Sequence, residues 1–89
     1  MPVFTADINE RPVFVFFVED ARSAKVLVEL ESLRLELMLL ICEGKQLWDG
    51  ETEIITRLAN SEERMVWERD SDGALDRLAF LVRVSEANE

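Results

Sequence analysis

Few residues of this chain could carry chemistry, and most of them are carboxylates. It has no histidine and no tyrosine, which removes the usual general base, the commonest zinc ligand and the phenolic donor together. Its single cysteine, Cys42, falls at the end of the apolar run Leu37 to Cys42, which helical spacing places near a helix C-terminus. A reactive thiolate needs a nearby cation or a helix N-terminus, so Cys42 reads as a small buried hydrophobe. Two acidic groups remain. Asp70, Asp72 and Asp76, around Ser71 and Gly73, put three carboxylates within seven residues. A calcium loop beginning at Asp70 would need glycine at its sixth position and glutamate at its twelfth, but here Gly73 is fourth and Leu81 twelfth. That segment therefore reads as a solvated turn ending a helix. Asp49, Glu51 and Glu53, beside Trp48, alternate along the chain, so a strand would set all three on one face. Such a face is either read by a partner's arginines or is the wet side of a hairpin. With three glycines and no GxGxxG, GxxxxGK[ST], CxxC or GxSxG pattern, no phosphate cradle or nucleophile elbow is present. The sequence therefore predicts a protein that is not an enzyme, with no metal and no cofactor.

Composition sets the frame for these groups. Eighty-nine residues, 48% hydrophobic and 33% charged, predict one globular domain over residues 1–89. Ten Lys and Arg against nineteen Asp and Glu leave a net charge of −9, which repels phosphate backbones and anionic lipid surfaces, so direct nucleic-acid binding is not expected. No apolar run approaches the roughly 20 residues that a membrane helix needs. The lone cysteine allows no intrachain disulfide, and no cationic-then-apolar segment opens the chain, so a cytoplasmic protein is expected.

The elements that must position these residues follow from periodicity. Val3 to Ile8 is a short strand, and Asn9 to Pro12 reads as a turn. Val13 to Val18 (VFVFFV) is a strand apolar on both faces, as expected where both sides are covered. Asp20 offers an N-cap, and the absence of glycine and proline from Ala21 to Glu43 permits one long helix with about two thirds of its surface apolar. Gly44 would end it. Asp49-Gly50 suggests a tight hairpin between Gln46–Trp48 and Thr52–Leu58. Asn60 with Glu63 resembles a capping box opening a second helix, which stops near Asp70 to Gly73. Leu78 to Val84 alternates as a last strand, and 85–89 reads as a loose tail. The predicted class is α+β, a small antiparallel sheet with two helices in the ferredoxin-like βαββαβ order plus an extra N-terminal strand.

Two features exceed what a small core needs. The doubly apolar strand, together with the apolar two thirds of the long helix, suggests a homodimer whose interface includes Val13, Phe14, Val15, Phe16 and Phe17. Trp67, on a short charged helix, is a candidate partner anchor alongside Trp48. The leading functional reading is a non-enzymatic acidic domain binding a basic partner protein, itself nucleic-acid-binding, through Trp48, Asp49, Glu51, Glu53 and Trp67. In size and charge alone the chain resembles phage-encoded inhibitors of nucleic-acid machinery, anti-CRISPR proteins among them, and immunity proteins against toxins. The second reading is a homodimeric ferredoxin-like module that is structural or senses a small ligand.

Overall fold

In the computed structural model, residues 2–72, 74 and 77–86 are described. Gly73 and Asp76 of the expected acidic turn, and 87–89 of the expected tail, lie outside them. The chain opens with β1 (Val3–Ile8) and β2 (Arg11–Phe17), joined at Asn9-Glu10, both of which hold positive φ. Two central residues in that conformation match the right-handed twist of a tight hairpin. The pairing passes from Ala6 opposite Phe14 to Asp7 opposite Pro12, leaving Val13 as an extra residue, a β-bulge. The bulge turns Val13 and Phe14 into the same core cluster.

Two helices follow where one was expected. α1 (Ala21–Glu29) and α2 (Glu31–Leu39) meet at Leu30, whose backbone is extended. The reason lies in phase. α1 buries Ala24 and Val28, whereas α2 buries Leu33 and Leu37. Each of the second pair lies nine residues beyond one of the first, which on a straight helix at about 100° per residue puts them on opposite sides. A break at Leu30 rotates all four toward one core. The chain then continues as β3 (Leu40–Cys42) and β4 (Lys45–Gln46), so Gly44 serves as a hairpin turn with Glu43, not as a helix cap, and Cys42 lies in a strand. β5 (Ile54–Leu58), α3 (Ser61–Ser71), β6 (Leu78–Phe80) and β7 (Ser85–Glu86) complete the order.

The molecule is α+β. Its main antiparallel sheet runs β5-β1-β2-β6, and a second small sheet runs β4-β3-β7. The ferredoxin-like order is not what these strands form. The N-terminal strand expected as an addition sits between β2 and β5, and residues 45–46 pair with β3 in the other sheet. Ser85 and Glu86, expected in the tail, pair with β3 as well.

The main sheet is covered on both faces. Phe4, Ala6, Phe14 and Phe16 pack under α1 and α2 together with Trp48, while Val3, Val15 and Ala79 pack under Trp67 of α3. Phe14 lies 5.7 Å from Phe16 and 6.0 Å from Phe80 between ring centroids, within the range of favourable aromatic contact. Val13, Phe14, Val15 and Phe16 are therefore buried within the chain, and Phe17 is half-buried against Trp67. The strand expected at a dimer interface has both faces covered by its own helices.

The phase argument separates two leucines of α2. Leu37→Ala should cost about 2–5 kcal/mol in chemical denaturation, as buried leucine truncations do, and Leu35→Ala, at an exposed position, within roughly 0.5 kcal/mol. Equal losses at the two positions would contradict the assignment of faces.

Candidate functional site

The segment Leu47–Glu53, expected to form a hairpin at Asp49-Gly50, is a loop built around two fixed points. Trp48 is buried, its indole N–H donates to the Thr52 carbonyl at 2.7 Å, and the Arg34 guanidinium lies 5.3 Å from its ring centroid. The same Arg34 donates through Nε to the carbonyl of Val28 near the end of α1, so one side chain ties the α1–α2 break to the loop. Asp49 is the second fixed point. Its Oδ1 accepts from the amides of Glu51 and Thr52, and its Oδ2 accepts from the Thr52 hydroxyl. These bonds, that of the Thr52 amide first, hold its carboxyl below the usual carboxylate range. Gly50 takes positive φ between them.

The result is a loop that presents Glu51 and Glu53 outward while Asp49, though exposed, uses its carboxylate to shape the turn. A cleft of about 420 Å³ separates the loop from α1, with Lys25, Glu29, Arg34, Glu51 and Glu53 on its walls. Its charges are mixed, and a single aromatic, Trp48, lines it. Gly50, which also lines the cleft, lies against the Met38 side chain of α2.

The five expected partner-binding residues thus separate by exposure. Asp49, Glu51 and Glu53 are at the surface, whereas Trp48 and Trp67 are each 3% exposed. Trp67 packs on Phe17 and donates its N–H to the Arg77 carbonyl, so it holds α3 to the sheet and is no surface anchor.

A polar cluster that the sequence did not disclose lies on the opposite face of the sheet. Arg57 of β5 donates to Asp7 through Nε at 2.9 Å and to both oxygens of Glu63 at 2.9 and 2.8 Å. Glu63 also accepts from the buried Thr5 hydroxyl and from the Asn60 amide, while the Asn60 side chain accepts from the Glu63 amide. The capping box expected at Asn60 and Glu63 is therefore formed, and it is extended across the sheet. The Arg57 hydrogen bonds, first among the causes, hold the Glu63 carboxyl down at about 2. A carboxylate so tied to a guanidinium has no proton to give near neutral pH, so the cluster is a clamp between α3 and β5. Asp7 and Arg57 are 50 residues apart, and no local spacing marks them as partners.

Among the described residues, no three His, Cys, Asp or Glu side chains gather as a metal ion would require. Cys42 is a free, buried thiol. Asp70 pairs with Arg69, and Asp72 takes the left-handed conformation that ends α3. No described helix is long and apolar enough to cross a membrane. No protein-family model, curated protein or solved structure matches the chain.

The Glu63 clamp makes stability depend on pH with a definite sign. The folded carboxyl, at about 2, lies below its ordinary 4.5, so its contribution is complete above 4.5 and is lost as pH falls toward 2. Because Arg57 is partly open to solvent, the amount is on the order of 2 kcal/mol. Glu63→Gln should lower the urea midpoint at pH 7 and flatten its decline between pH 4.5 and 2. An unchanged acid limb in the variant would assign the decline to other carboxylates.

Proposed function

We propose that this chain is a non-enzymatic protein-binding domain whose acidic surface engages a cationic groove on a partner protein, a groove of the kind that otherwise holds nucleic acid. The observation that carries the reading is the Trp48–Glu53 loop. Its buried indole and its Asp49 turn fix the backbone, so Glu51 and Glu53 are displayed at little further entropic cost. Net charge of −9 adds long-range attraction to a cationic partner and speeds encounter, an effect that salt screens.

The same features favour binding over catalysis. Asp7 and Glu63, which folding brings onto a common arginine, are both spent on it, and the chain has no histidine to move a proton near neutral pH. The homodimer interface expected on β2 is covered within the chain, where Val13 to Phe16 are buried and Phe17 is half-buried.

The test is charge reversal at Glu51 and Glu53 together, leaving Asp49 in place because its carboxylate builds the loop. Capture from the native host should recover a basic, nucleic-acid-binding protein, weaken as salt rises, and fall at least about tenfold for Glu51→Lys/Glu53→Lys. Thermal unfolding should stay within a few degrees of the parent, since both side chains are exposed. Undiminished capture by a folded variant would remove this loop as the contact.

A further inference from the structure

The outer face of α2 is apolar and, among the described residues, largely uncovered. Leu35 and Leu39 are 55% and 62% exposed and Met38 is 38% exposed, at the i, i+3, i+4 spacing that lines side chains along one side of a helix. Carboxylates border this stripe. Glu36 stands on the side of Leu39 and Glu31 lies one turn before Leu35, while Met38 lies against Gly50 of the acidic loop. Over residues 29–53 there are seven carboxylates and two cations, and one of those cations, Arg34, is folded onto Trp48 and the Val28 carbonyl.

We propose that α2 docks a cationic amphipathic helix of the partner protein, its apolar side on Leu35, Met38 and Leu39 and its flanking lysines or arginines against the bordering carboxylates. This rests on the reading above and names the element of the partner that is recognised. Charge selects the occupant. A nucleic acid or a second copy of this chain would set negative charge against negative charge, whereas a cationic helix satisfies the apolar stripe and its border together. Met38 suits the contact because its unbranched thioether adapts to the shape presented.

The experiment titrates the whole chain calorimetrically with a synthetic leucine–lysine peptide of about 18 residues, five helical turns, whose leucines fall on one face. A peptide of the same composition with its leucines scattered is the control. The facially ordered peptide should bind at least about tenfold more tightly than the control, and Leu35→Glu/Leu39→Glu should remove about that margin. Leu58→Glu, at an equally exposed leucine on β5, should leave binding unchanged. Leu35→Ala/Leu39→Ala should give an intermediate loss, which serves if the glutamate variant unfolds. Equal binding of both peptides, no binding of either, or equal loss with Leu58→Glu would overturn the proposal. So would light scattering that shows a dimer dissociated by Leu35→Glu/Leu39→Glu, because the stripe would then belong to a second copy. If Glu51→Lys/Glu53→Lys weakens the peptide while the leucine variants do not, the acidic-surface reading stands and the α2 site falls.

Discussion

β2, apolar on both faces, lies beside β1 in the middle of the main sheet, so each face needs its own cover and the rest of the chain is arranged to supply it. On one side that requirement bends the helical segment at Leu30, bringing Ala24, Val28, Leu33 and Leu37 onto Phe4, Phe14 and Phe16. On the other, α3 lays Trp67 over Val3, Val15 and Ala79. Hydrophobic burial is proportional to area and has no direction, so it fixes that both faces are covered but not where each cover lies. Direction comes from the polar contacts. Arg57 holds Glu63 of α3 and Asp7 of β1, and Arg34 joins the end of α1 to Trp48.

Those two arginines do different work at different cost. A cluster such as Asp7–Arg57–Glu63 loses much of its attraction to desolvation, so its net stabilisation is modest, while removing one member strands the others. Its value is in register: Glu63 accepts from Thr5, from Arg57 and from the Asn60 amide, and no neighbouring residue of α3 could meet all three. Arg34 is less costly, since its head stays near the surface and its ring contact with Trp48 also shields the indole. By fixing the loop, it makes the position of Glu51 and Glu53 a property of the core.

Local signals in the sequence gave reliable elements where the interaction was itself local. β1, the Asn60–Glu63 capping box and the alternation about Ala79 are set by neighbours two to four residues away, and each is where spacing puts it. The break at Leu30 was not legible because no glycine or proline marks it. Its cause is the phase of four apolar residues relative to a sheet that local spacing does not reveal. The Asp49-Gly50 turn failed for a related reason. Asp49 bonds to Glu51 and Thr52 within its own loop, and the hairpin geometry went to Glu43-Gly44. At the candidate site, the carboxylates were legible as surface charge, but both tryptophans proved to be buried anchors. The stripe on α2 emerged only when the break decided which leucines face out.

The corner at Leu30 is set by the sheet and not by the segment that contains it. Nothing between Ala21 and Leu39 interrupts a helix by intrinsic preference, and a single straight helix there would set its buried residues on opposing sides. Only the assembled hairpin rewards bending it. The elbow is thus imposed by distant strands, and the outward set of leucines is a by-product of that bend.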